Sequence, residues 1–98
     1  MLVAFSLSPA GAVADGGVAE AVAQAVAVVR ASGLPCETNA MFTNVEGEWD
    51  EVMAVVKQAI DVVAAHSPRV SLVLKADIRP GHTGQLSAKV DRIERLLS

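Results

Sequence analysis

Apolar residues in this chain recur at two different periods, and the order in which the periods alternate leaves few folds open. Arg69–Ile78 alternates strictly: Val70, Leu72, Leu74, Ala76 and Ile78 share one side, and Ser71, Val73, Lys75 and Asp77 share the other. That is the pattern of a strand with one buried face. Leu2–Ser8 alternates too, with Val3, Phe5 and Leu7 set against Ala4, Ser6 and Ser8. Two segments between them switch to helical spacing. Val18, Val22, Ala25, Val26 and Val29 mark the first, with Asp15 as the expected N-cap and Gly33 and Pro35 as the stop. Val52, Val55, Val56, Ala59 and Val63 mark the second, which Trp49, Asp50 and Glu51 open and Ser67–Pro68 closes. Cys36–Met41 and Thr43–Glu48 read as the short strands of a hairpin, although no Asn-Gly or Asp-Gly marks its turn. Leu86, Val90, Ile93 and Leu97 predict a last amphipathic helix, with Asp91 and Arg95 paired at i, i+4.

The expected order is therefore β-α-β-β-α-β-α. Two interleaved split βαβ units of this kind give the ferredoxin-like α+β sandwich, a four-stranded antiparallel sheet with helices on one face. Residues 1–98 then form a single domain. Its uncovered sheet face would carry Ala4, Ser6, Ser71, Val73 and Lys75, a half-apolar surface suited to packing against another sheet. The apolar fraction of 52% is high for a chain whose core must be thin. A homo-oligomer, specifically a tetramer of two-fold symmetry, is expected to hide the excess.

Charge and cysteine usage narrow the partners. A net charge of −3 without a Lys/Arg cluster argues against nucleic acid. Cys36 is the only cysteine, so it forms no internal disulfide and no zinc set, and it reads as a small buried hydrophobe. His66 and His82 are widely separated and add no metal-ligand spacing, so no metal and no cofactor are expected. The amino terminus lacks the basic region of a signal peptide. No apolar run reaches the roughly 18 residues of a membrane span. The nearest approach, Val18–Val29, is interrupted or bounded by Glu20, Gln24 and Arg30. No membrane partner and a cytoplasmic location are expected.

One polar segment stands out between these Val-rich elements. Asn39, Thr43 and Glu46 gather around a turn, where they either line a site or decorate a solvated hairpin. Together with Pro9 and Gly11 after the first strand and Gly33 after the first helix, the segment carries a family likeness. Its strongest part is Asn39-x-Met41-x-Thr43-x-x-Glu46-Gly47-Glu48, continued by Trp49-Asp50-Glu51-Val52, then Lys75-x-Asp77-x-Arg79 and Lys89-Val90. In these residues the chain resembles the small thiamine-binding protein family over nearly its whole length. It departs in Ala10, small where many relatives are larger, and in Ile78, where many carry a second acid. The resemblance implies a ferredoxin-like fold and homo-oligomers, commonly dimers of dimers with sheets packed together. It also implies a ligand, thiamine or its hydroxymethylpyrimidine moiety.

For such a ligand, Glu46 would accept from the pyrimidine amino group or face the thiazolium charge. Asn39 and Thr43 would both donate and accept hydrogen bonds. Ser6 and Ser8 on the first strand are further candidates, and Trp49 either stacks on a ring or anchors its helix on the sheet. Lys75, Asp77 and Arg79 read as ion-pairing residues. The chain has no phosphate loop, nucleophile elbow or metal-binding helix motif. Thr43 beside Glu46 would make a nucleophile and base that nothing orients. The expected function is accordingly that of an oligomeric binding protein rather than an enzyme. The alternatives are a small cofactor-free enzyme acting on a heterocycle and a structural or regulatory oligomer without ligand.

Overall fold

The computed structural model describes residues 1–10 and 17–98. The alternating segments form strands β1 (Leu2–Ala10), β2 (Cys36–Thr38), β3 (Thr43–Glu46) and β4 (Arg69–Asp77). The helical patterns form α1 (Gly17–Ala31), α2 (Trp49–Ala64) and α3 (Gln85–Leu97). The expected cap at Asp15 and the loop around Gly11 lie outside the described residues. The strands make one sheet in the order β2-β3-β1-β4, and every neighbouring pair is antiparallel. With the chain order β-α-β-β-α-β-α, this is the ferredoxin-like sandwich.

Strand alternation sorts the side chains of β1 as the sequence predicts, whereas β4, at the sheet edge, has no fully buried residue and leaves Leu72 41% exposed on its expected inner face. Val3, Phe5 and Val45 point to the helical layer and are buried against Ala25 and Val29 of α1 and Val52, Val55, Val56, Ala59 and Val63 of α2. All five expected stripe residues of α2 are core residues. At the start of α2, Glu48 and Glu51 form a capping box in which Glu51 Oε1 accepts from the Glu48 N–H at 3.1 Å. Gly33 takes φ +79° just past α1, a conformation open to glycine, and so ends that helix. His66 Nε2 donates to Gln24 Oε1 at 2.9 Å and ties the end of α2 to α1.

Three expectations are corrected. The first concerns α1, whose innermost row is Ala21, Ala25 and Val29 rather than the full valine stripe. Val22 and Val26 are half-buried, and Val18 is 49% exposed. With the small Ala21 and Ala25 facing the core, the neighbouring Val22 and Val26 lie at its edge. The second concerns the hairpin. Its strands are shorter than the patterns suggest, because Asn39–Phe42 form a four-residue loop closed by Asn39 N–H donating to the Phe42 carbonyl at 2.9 Å. The third concerns α3, where no Asp91–Arg95 pair forms. The ion pairs among the described residues are Lys57–Asp61 and Lys89–Asp77.

The uncovered face of the sheet carries Ala4, Ser6, Ser71, Val73 and Lys75, read from the pairing of Ala4 with Lys75, Ser6 with Val73 and Ser8 with Ser71. Helix α3 stands apart from the α1–α2 layer and buries none of its residues. Val90, Ile93, Leu96 and Leu97 on it are all more than half exposed. Val56→Ala in the core should therefore cost about 2 kcal/mol and lower the melting midpoint on the order of 10 °C. Thermal unfolding by circular dichroism measures this.

Candidate functional site

Antiparallel pairing is uneven along β1, and this opens a cavity. Residues Leu2–Phe5 pair with β3 on one side and β4 on the other, but Ser6–Ala10 pair with β4 alone. On its other side β3 has already turned into the hairpin. The gap between β1, the hairpin tip and α1 holds a cavity of about 380 Å³. Phe5, Leu7, Val22, Ala25 and Val26 supply apolar walls, and Thr38, Asn39, Ala40, Met41, Phe42 and Thr43 wrap around the other side. Ser6 borders it at the main chain of the strand.

Among the described residues, the polar groups that line this cavity are neutral. Thr38 and Thr43 are paired residues on adjacent strands, and their Oγ1 atoms lie 3.3 Å apart, so one hydroxyl donates to the other. Thr43 is 8% exposed, whereas Thr38 is open to solvent. Asn39 Oδ1 accepts from the Met41 and Phe42 N–H groups, both at 2.9 Å, and thereby shapes the loop. Its carbonyl is committed to the turn, which leaves the Nδ2 amide protons for an outside acceptor. The expectation that Asn39 both donates and accepts thus narrows to donation. Among the described residues, no titratable side chain lines the cavity.

The six residues singled out in the sequence do not converge. Asn39 and Thr43 meet at the cavity, and Ser6 borders it only at the main chain because its side chain turns to the uncovered face. Ser8 is exposed on the uncovered sheet face, where it pairs with Ser71, because alternation turns it from the helical layer. Glu46 does not line this cavity, and it is not a solvated hairpin glutamate. It points to the face opposite Val45, is 6% exposed, and receives the Gln85 N–H on Oε2 at 2.9 Å and the Leu86 N–H on Oε1 at 3.1 Å. Gly84, at the N-cap of α3 with φ +67°, has no side chain with which to cap. The carboxylate from β3 satisfies those first amides and meets the positive end of the helix dipole.

Asp77 holds α3 a second time through Lys89, whose hydrogen bond and charge keep the Asp77 carboxyl below the ordinary carboxylate range. Trp49 lies at the other end of the sheet, 56% exposed, in a separate cleft with Ile78, Arg79 and His82. It therefore neither reaches the cavity nor anchors α2 in the core. Sequence reading missed Thr38, Met41 and Phe42. Strand alternation across a four-residue loop would have placed Thr38 opposite Thr43, had the turn been recognised.

Comparisons with known proteins agree with this architecture. The sequence model of a family described as thiamine-binding protein matches residues 3–94. A UPF0045 protein of Mycobacterium bovis is 54% identical over 99% of this chain and 94% of its own. A crystal structure from Methanocaldococcus jannaschii superposes with a TM-score of 0.82 at 31% identity, covering 95% of this chain and 94% of that one. A Thermotoga maritima protein, whose name provisionally places it in thiamine biosynthesis or salvage, superposes with a TM-score of 0.80 at 28% identity, covering 94% and 96%.

Glu46→Gln should cost about 1–2 kcal/mol and fray the first turn of α3 while leaving the sheet intact. Amide hydrogen exchange checks this: protection should fall at Gln85–Ala88 and persist in β1 and α2. The Asp77–Lys89 contribution has the sign of a depressed carboxyl. It is present above the ordinary aspartate pKa and lost as pH falls through the lowered value. Lys89→Met should remove that component of the acid loosening of α3.

Proposed function

The chain belongs to the thiamine-binding protein family, and from that premise we propose that it is a small-molecule binding protein for thiamine or its hydroxymethylpyrimidine moiety. The hairpin-tip cavity receives the pyrimidine. The observation that carries this reading is the neutral, mixed donor–acceptor lining between apolar walls. An aminopyrimidine is flat, donates through its amino group and accepts through its ring nitrogens. The Thr38 and Thr43 hydroxyls can do either, the Asn39 amide donates, and the stretch of β1 beyond Phe5 is free of β3. Val22, Val26 and Phe42 give the ring apolar surface. Among the described residues the lining holds no acid for the cationic thiazolium, which is placed toward solvent.

The same neutrality favours binding over catalysis. General acid–base chemistry needs a titratable group within hydrogen-bond reach of the reacting atom. The cavity offers threonines and an amide whose oxygen is engaged in the turn. Sequestration, delivery or sensing of the ligand is the role that follows. A cytoplasmic location goes with it, since the free thiol of Cys36 suits a reducing compartment. No helix among the described residues is long and apolar enough to cross a membrane.

The assembly in this reading is a homo-oligomer, a tetramer of two-fold symmetry. It is supported by apolar surface that a lone chain leaves in water: Val73 on the uncovered sheet face, and Val90, Ile93, Leu96 and Leu97 on α3. Sedimentation at micromolar concentration should give a species several times the 10.1 kDa chain mass, and a clean monomer would sink the assembly.

Calorimetry with thiamine, its phosphates and its two halves tests the ligand. The pyrimidine half and thiamine should bind, and the thiazole half should not. Thr38→Val and Thr43→Val should each weaken binding five- to thirtyfold, about 1–2 kcal/mol, with the fold retained. Unchanged affinity in both variants would remove the ligand from this cavity.

A further inference from the structure

A second cleft, of about 290 Å³, lies at the end of the sheet away from the hairpin tip and shares no lining residue with the first cavity. The loop after β4 forms one wall with Arg79, His82 and Thr83, and the start of α2 forms the other with Glu48 and Trp49. Two large apolar side chains stay in water there: Trp49 is 56% exposed and Ile78 is 62% exposed. Beside them Arg79 makes no ion pair and no side-chain hydrogen bond among the described residues. His82 Nδ1 donates to the Pro80 carbonyl at 3.2 Å, which leaves Nε2 without a partner there. The only acid in the lining, Glu48, is engaged in the α2 capping box. Arg79 is therefore a cation whose guanidinium donors are unused among the described residues, and it shares this lining with the half-exposed indole of Trp49.

We propose that this cleft is a second binding site, one that takes a planar aromatic carboxylate. An indole offers its face to a flat ring, and ring stacking of this kind adds to the burial of apolar area. A guanidinium matches a carboxylate in plane and can hold it through two parallel hydrogen bonds. The volume is at the small end of ligand pockets, which limits the ligand to one or two rings. A neutral ring lacks the partner for Arg79, and an aliphatic carboxylate lacks the partner for Trp49. The proposal is independent of the thiamine reading, because the two cavities have separate walls.

Trp49 is the only tryptophan and there is no tyrosine, so intrinsic fluorescence reports on this cleft alone. The experiment titrates the full chain with nicotinate, using nicotinamide and acetate as controls. Nicotinate should quench Trp49 saturably and weaken as salt is raised, while neither control saturates. Arg79→Gln should raise the nicotinate dissociation constant ten- to a hundredfold. Its circular dichroism and thiamine titration should match the parent, since Arg79 supports no contact of the fold. Linear, collisional quenching by nicotinate would overturn the site. So would equal behaviour of nicotinate and nicotinamide, or an unchanged dissociation constant in Arg79→Gln.

Discussion

Strand alternation in β3 governs three parts of this molecule at once. The strand is four residues long, and its side chains must leave by opposite faces of the sheet. Thr43 goes to the helical face and into the cavity wall, and Val45 goes the same way into the centre of the core. Glu46 goes to the other face and caps α3. A shift of one residue in this register would exchange all of these roles, putting a carboxylate into the core and a valine under a helix terminus. Pairing with β1, Val3 against Val45 and Leu2 against Glu46, holds the register because the core rejects the charge.

Helix α3 depends on that arrangement more than on its own packing. It contributes nothing to the buried core, and its apolar residues remain largely in water. Two carboxylates, Glu46 at its first amides and Asp77 at Lys89, hold its first turns instead. Hydrogen bonds and an ion pair of this kind orient a helix without covering its apolar stripe. The stripe therefore stays available to another surface, and so does Val73 on the bare side of the sheet. The α1–α2 layer covers one face of the sheet, whereas α3 is held over the opposite face by Glu46 and Asp77, where no second layer buries it.

The two cavities differ in chemistry because they sit at opposite ends of the sheet. At the hairpin tip, main chain turns back on itself and is stabilised by Asn39 and by paired threonines, which are neutral groups. At the other end, β4 runs into a loop carrying Arg79 and His82, close to the first turn of α2. Acids belong in that first turn, where the helix dipole favours them, but Glu48 and Glu51 are occupied by backbone amides. The loop supplies the guanidinium and imidazole donors of the cleft, which those amide-bound carboxylates do not occupy.

Periodicity alone determined the strands of β1 and β4, the stripe of α2, the chain order and hence the fold, since a two-residue or 3.6-residue repeat is a local property of the backbone. The short tetrapeptide loop was not legible, because Asn39 closes it through its side chain and no turn dipeptide announces it. That obscured the Thr38–Thr43 pair. Proximity in sequence put Asn39, Thr43, Glu46 and Trp49 in one segment. Only the tertiary structure separated them, sending Asn39 and Thr43 to the cavity, Glu46 to α3 and Trp49 to the far cleft. Adjacent strand residues face opposite ways, and the helix that follows carries the chain away, so nearness along the chain says little about which side chains share a pocket.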